Sequence, residues 1–189
     1  MIYLASESER RRALLAQIDL PFRVVAAAID ESVGVAETPL AYVQRMARAK
    51  ACAGSEEMRR QGLAPAPVLG ADTIVVCADG IVRKPEDQAA AARALRRLSG
   101  REHIVYTAIC LLGRTVAEAV SRTDVTFKAL SEREIEAYCA TGEPLGKAGG
   151  YAIQGRAALF VTRLAGSYTG VVGLPLYECG QLLAAEGIL

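Results

Sequence analysis

Short apolar runs alternate with longer stretches of helical spacing along this 189-residue chain. Ile2–Ala5 reads as a strand, and Glu9–Gln17 as a helix with Ser6 or Ser8 available as N-cap. Phe22–Ala27 is a second strand. Leu40–Gly54 is an amphipathic helix with Pro39 at its first turn. Glu56–Pro67 is polar and holds Pro and Gly, which predicts a helix end and a loop. Val68–Ala78 is apolar and β-branched, as a strand covered on both faces would be. Asp79-Gly80 predicts a hairpin turn and Ile81–Arg83 its returning strand. Alanine-rich Glu86–Leu98 is a helix. His103–Leu112 and Val116–Lys128 are long strands around a turn at Gly113. Ser131–Ala140 is a helix opened by a capping box, with Glu134 three residues after Ser131. Ala158–Leu164 is a further strand and Leu174–Ala185 a closing helix.

Strands and helices alternate, yet hairpins also occur. The pattern predicts an α/β fold, a mixed sheet with helices on both faces. Neither a repeat nor an interdomain linker interrupts it, so residues 1–189 read as a single domain, large enough for two lobes around a shared sheet.

Composition narrows the function more than the fold. Hydrophobic residues make up 52%, enough for a sizeable core, and the net charge is +1, which excludes the broad basic surface of a nonspecific nucleic-acid binder. Aromatic residues are only 5% and Trp is absent, so base-stacking platforms are not expected. Cys52, Cys77, Cys110, Cys139 and Cys179 are scattered without a CxxC pair, which disfavours zinc and a disulfide framework and suits a reducing compartment. Neither a signal peptide nor a membrane span is recognisable, so the chain reads as cytoplasmic.

The chemistry collects in a few places. Gly142–Gly155, GEPLGKAGGYAIQG, holds five glycines in fourteen residues together with one lysine. Such a loop suggests a phosphate cradle of backbone N–H groups and an ammonium, against the plainer alternative of a surface turn. In Ser6-Glu7-Ser8-Glu9-Arg10-Arg11-Arg12, arginines in a first helical turn oppose the macrodipole, which makes sense if they face an anion. A solvated basic face is the alternative. Asp72 interrupts an apolar strand, where a carboxylate is costly unless it is paired or binds a metal. Asp30-Glu31 could add oxygen ligands, although alone the pair suits a solvated loop. Lys50 reads by default as a charge at a helix C-terminus. Lys84-Pro85 either points the lysine into a cleft or leaves it exposed. His103, the sole histidine, is more often structural than catalytic in such a setting. The GxxxxGK[ST] pattern fails at Ala148, and neither a nucleophile elbow nor a Cys–His pair is present. Cations, hydroxyls and a few carboxylates without a covalent nucleophile suit metal-assisted attack of water on a phosphoanhydride.

The blocks LASESERRRALL (4–15), GADTIVV (70–76), KP (84–85), SGREHIVYTA (99–108), GEPLGKAGGYAIQG (142–155) and GSYTGVVGLPLYE (166–178) together resemble the Maf family of nucleoside triphosphate pyrophosphatases, in family order over nearly the whole chain. The resemblance implies an α/β fold of two lobes flanking a central cleft, similar to the inosine triphosphate pyrophosphatases. It implies hydrolysis of a nucleoside triphosphate to the monophosphate and pyrophosphate with a divalent metal cation, Mg²⁺ or Mn²⁺. Asp72 matches the proton acceptor and Arg10 a substrate-recognising arginine. Thr73 and Gln154 match positions tied to substrate choice. Ser8, Arg11, Lys50, Lys84 and Lys147 match the polar lining of the phosphate site, and Asp72 with Glu31 would hold the metal. Gln154 in KAGGYAIQG resembles the dTTP/UTP branch. The alternatives are the 7-methyl-GTP branch and a nucleotide-binding division regulator of little turnover. The implied cellular roles are removal of unwanted nucleotides and arrest of septum formation. Family members are often dimers, which admits a homodimer here; nucleic acid and membrane are not expected partners. Two departures stand out: Glu9 where the family often has proline, and Gly146 where many relatives have aspartate before the lysine.

Overall fold

The computed structural model describes residues 1–26 and 28–189. The chain forms two compact units: Met1–Asp72, Thr107–Ser121 and Gly173–Leu189 make the first, Thr73–Tyr106 and Arg122–Val172 the second. Its elements run β1 (Ile2–Leu4), α1 (Glu9–Gln17), β2 (Phe22–Val24), α2 (Pro39–Arg60), β3 (Val68–Cys77), β4 (Gly80–Val82), α3 (Gln88–Leu98), β5 (Glu102–Leu112), β6 (Val116–Phe127), α4 (Glu132–Cys139), β7 (Val161–Ala165), α5 (Tyr168–Val172) and α6 (Leu176–Glu186). The strands form one mixed sheet in the order β2-β1-β3-β5-β6-β7, with β4 paired onto β3. The α/β fold class read from the sequence is the one observed. Strands β3, β5 and β6 each contribute residues to both units.

In the first unit β1 lies parallel to β2, Ile2 opposite Phe22, and parallel to β3, Leu4 opposite Leu69. Both faces of β3 are buried over most of its length, which explains a sequence that is apolar apart from Asp72 and Thr73. Strand β2 ends at Val24, short of the predicted Ala27: Val25 and Ala26 are not strand, and Ala27 lies outside the described residues. Helix α2 runs six residues past the predicted end at Gly54. That glycine is not a helix stop: a Cβ there would lie 2.6 Å from the Ala5 Cβ, so its absence lets the helix approach β1 closely. The polar continuation stays helical because Met58 is buried in a cluster with Tyr3, Ala5, Val25 and Val68, and Glu57 pairs with Arg60 at 2.6 Å. Gly70 repeats the device between β3 and α2, where a Cβ would stand 2.3 Å from the Ala47 carbonyl oxygen.

In the second unit β3 and β4 form the expected hairpin through Gly80, whose φ of +104° suits glycine alone. Helix α3 starts two residues later than predicted, because Asp87 caps it by accepting from the Ala90 N–H at 2.6 Å. Helix α4 carries the predicted Ser131/Glu134 capping box. The last strand begins three residues later than predicted, since Arg156–Phe160 turn as a 3₁₀ helix. Helix α5 was not foreseen; at five residues it is too short for a periodic signal. His103, Phe127, Tyr151, Phe160 and Tyr138 pack edge-to-face with centroids 4.9 to 6.0 Å apart. Among the described residues no helix is long and apolar enough to cross a membrane.

Candidate functional site

The first unit gathers Ser8, Arg10, Arg11, Glu31, Lys50 and Asp72. Asp72 is buried in β3, and its Oδ1 accepts from the Lys50 ammonium at 2.7 Å. The same ammonium lies 2.7 Å from Glu31 Oε1. One cation thus bridges a buried and an exposed carboxylate. Lys50 reaches this point because Tyr42, Met46 and Lys50 recur every four residues along one face of α2. Its default reading as a helix C-terminal charge fails, since α2 continues for ten more residues. The Glu31 segment is fixed from both sides. Tyr42 donates its hydroxyl to the Glu31 carbonyl at 2.9 Å, and Arg45 donates to the Ser32 carbonyl at 2.8 Å while gripping Glu37. Asp30 folds back onto the Ser32 N–H at 2.8 Å. Sequence reading missed Tyr42, Arg45 and Glu37 as the supports of Glu31; of the three, Tyr42 shares the four-residue recurrence of Lys50 on α2, while Arg45 and Glu37 gave no periodic signal.

Ser8 is the N-cap of α1, accepting from the Arg11 N–H. The two serines divide the work, because buried Ser6 accepts from Arg11 Nη1 at 3.0 Å. Arg11 is itself buried, and its Nε donates to the Gly173 carbonyl at 2.8 Å. It does not belong to a solvated basic face. Burial pulls its pKa down, while the fields of Asp72 and Glu31 push it up. Arg10 is half-buried, and desolvation lowers its pKa as well. Arg12 is the exposed member of the run, 3.7 Å from Glu9.

The second unit holds Thr73, Lys84, Lys147 and Gln154. Thr73 follows Asp72 on β3 and is half-buried; Gln154 is exposed. Exposed Lys84 lines a cavity of about 370 Å³ with Arg83, Pro85, Arg93 and Arg97. In that lining Arg97 pairs with Asp79 at 2.9 Å. The glycine loop differs from the expected cradle. The N–H groups of Gly142, Gly146, Gly150 and Gly155 all donate to main-chain carbonyls, so they form no open nest for an anion. Four of its five glycines are needed for their left-handed φ of +67° to +72°. At Gly149 a Cβ would also stand 2.6 Å from Val75 Cγ2. What the loop presents is Lys147, whose ammonium donates to the Glu143 carbonyl at 2.6 Å. Gly146 occupies open space beside it and donates to the Pro85 carbonyl at 3.0 Å.

His103 is buried, with Nε2 2.9 Å from the Tyr151 hydroxyl and Nδ1 without a partner among the described residues. Burial pushes its imidazole down to about 4 from an ordinary 6.5. Unfolding therefore takes up a proton between those values, so stability is full above pH 6.5 and falls as pH drops toward 4. Glu37, Glu57 and Glu134, held down to about 2 by their ion pairs, lose their contribution only below their ordinary 4.5. Between pH 7 and 5 the wild-type protein is expected to lose about 2 kcal/mol through His103. His103→Gln should flatten that interval in urea unfolding; an unchanged drop in the variant would assign it elsewhere.

Three of the cysteines are buried, one is half-buried and one exposed, all as free thiols. No cluster of three or more His, Cys, Asp or Glu forms among the described residues. Asp72 and Glu31 nevertheless fit Mg²⁺ or Mn²⁺ chemically. They are hard oxygen donors meeting at a point that an ammonium holds, and Mg²⁺ commonly takes only one or two carboxylates beside substrate phosphates.

Residues 1–186 match the Maf family, described as Maf-like protein. A protein of Polaromonas sp. named dTTP/UTP pyrophosphatase is 46% identical over 194 residues, covering 99% of this chain and 96% of its own. Another of the same name, from Pseudoalteromonas atlantica, is 49% identical over 188 residues, covering 97% and 96%. Among solved structures, the nucleoside-triphosphatase / dITP/XTP pyrophosphatase of Mycobacterium abscessus is 19% identical with a TM-score of 0.46, covering 97% of this chain and 96% of that one. With a family match over nearly its whole length and relatives close to half identical, this chain belongs to the Maf-like protein family.

Proposed function

We propose that the protein hydrolyses dTTP and UTP at the bond between the α- and β-phosphates, releasing the monophosphate and pyrophosphate, in the cytoplasm. The observation that carries this reading is the Glu31–Lys50–Asp72 bridge, two carboxylates on one ammonium. The names of the relatives supply the substrate.

When bound, the divalent cation on Asp72 and Glu31 supplies charge neutralisation at the phosphates and a more acidic water. Asp72 accepts the proton of the attacking water. Lys50 compensates both carboxylates at rest and turns to the triphosphate as substrate arrives, which frees Asp72 Oδ1. Ser8 and Arg10 at the start of α1 face the substrate, and Arg11, fixed by Gly173 and Ser6, adds charge from a buried position. Lys84 and Lys147 neutralise the leaving pyrophosphate, the main catalytic contribution. Thr73 and Gln154 select the base; a glutamine amide both donates and accepts, as a pyrimidine edge requires.

The test is pyrophosphate release from a panel of triphosphates with Mg²⁺ or Mn²⁺. dTTP and UTP are expected to exceed purine triphosphates in kcat/KM by tenfold or more, roughly what pocket discrimination delivers. Chelation should stop the reaction. Absence of release from every triphosphate would leave a nucleotide-binding protein and sink the enzyme reading.

A further inference from the structure

Both carboxylate oxygens of Glu143 are engaged within the second unit. Oε1 accepts from the Tyr138 hydroxyl at 2.7 Å, and Oε2 accepts from the Arg156 N–H at 3.2 Å. Gly155 passes so close that a Cβ there would lie 2.5 Å from both carboxylate oxygens. Tyr138 is buried on α4, and its hydroxyl also accepts from the Ala152 N–H at 3.1 Å. The Glu143 main chain is held separately: its N–H donates to Thr141 Oγ1 at 3.1 Å, and its carbonyl receives the Lys147 ammonium at 2.6 Å. One residue thus ties the outgoing arm of the glycine loop to its return. Lys147 and Gln154 are the residues slung between the two ties.

We infer that Glu143 is a positioning residue: with Tyr138 it clamps the loop closed across Gly155–Arg156, and so sets where the Lys147 ammonium and the Gln154 amide stand toward a triphosphate. This rests on the reading of Lys147 as a phosphate contact. The physical reason is rigidity. Lysine is a point charge on a flexible stem, and it binds a phosphate well only if its reach is fixed beforehand. Hydrogen bonds within the loop, such as Lys147 N–H to Pro144 and Gly150 N–H to Lys147, close only short turns, and the Glu143 carboxylate is what joins its outgoing arm to Arg156 on the return. The sequence concealed this role, because a glutamate in a polar glycine loop looks like any solvated charge.

The test compares Glu143→Ala, Glu143→Gln and Tyr138→Phe. Steady-state kinetics with dTTP are read beside acylation of Lys147 by an amine-reactive ester, followed by mass spectrometry with Lys128 as internal reference. In Glu143→Ala the KM is expected to rise about tenfold or more with a smaller change in kcat, as displaced binding groups produce. Lys147 should be acylated several-fold faster. Tyr138→Phe should move both readouts in the same direction by less, and Glu143→Gln, which keeps the shape and an acceptor, should recover KM to within about threefold. A purely structural role would lower the folded fraction, and with it kcat, at unchanged KM. Unchanged Lys147 acylation in Glu143→Ala overturns the inference whatever the kinetics, and so does an unchanged KM in an active enzyme. If the wild-type protein hydrolyses no triphosphate, the phosphate reading falls, and the acylation arm alone still decides whether Glu143 positions Lys147.

Discussion

Asp72→Asn is expected to lower kcat by roughly 10² to 10⁴-fold, the range a general base contributes, while leaving nucleotide binding within a few-fold of wild type. The geometry explains the separation. Asparagine has the shape of aspartate, and its amide oxygen still accepts from Lys50. The lysine also keeps Glu31 at 2.7 Å, so neither partner is left as an uncompensated buried charge. What disappears is a group able to take a proton, while the amide oxygen stays as a weaker oxygen donor beside Glu31. Pyrophosphate release gives kcat, and calorimetric titration with a nonhydrolysable triphosphate gives affinity. A variant that turns over within threefold of wild type would remove Asp72 as the base. A variant that fails to bind would make cation holding, rather than proton transfer, the carboxylate's main contribution.

Much of the frame around Asp72 was legible beforehand. β3 declared itself through a β-branched run with one carboxylate inside it, and a carboxylate there needs a partner. That the partner is Lys50 was not legible from periodicity. The lysine sits inside a 22-residue helix whose end had been placed at Gly54. Glycine in a sequence carries two opposite meanings, a chain break or a close approach, and only the neighbours in space decide between them. At Gly54 the neighbour is Ala5, and at Gly149 it is Val75. The same ambiguity misdirected the loop over 142–155. Its glycines suggested open N–H groups, yet four of the five serve left-handed turns, and the N–H groups of Gly142, Gly146, Gly150 and Gly155 go to the chain's own carbonyls. Glu31 and Glu143 were obscure for a different reason. A charged residue in a loop shows its role only through distant partners, Tyr42 and Arg45 in one case, Tyr138 and Arg156 in the other.

Gly70→Ala is the substitution expected to cost the most stability, and its consequence reaches the chemistry. A Cβ at Gly70 would meet the Ala47 carbonyl oxygen at 2.3 Å, the Ala51 nitrogen at 2.5 Å and the Ala51 Cβ at 2.9 Å. Two of these are backbone atoms of α2, so no rotamer change relieves the clash and the helix itself must move from β3. Overpacking of this kind costs about 3 kcal/mol or more where backbone has to shift. Gly70 lies two residues before Asp72 on β3, and Ala47 and Ala51 flank Lys50 on α2. Moving α2 outward therefore stretches the 2.7 Å Lys50–Asp72 contact. The surviving folded protein should lose activity beyond its loss of stability. Gly180→Ala is the matched control. That glycine lies within α6 with open space where a Cβ would go, so the same substitution should stabilise by about 0.5–1 kcal/mol through helix propensity. Urea unfolding of the two variants should give shifts of opposite sign, with turnover per folded molecule reduced only in Gly70→Ala. Equal stabilities would show that α2 yields easily, and that Gly70 does not set the approach of lysine to aspartate.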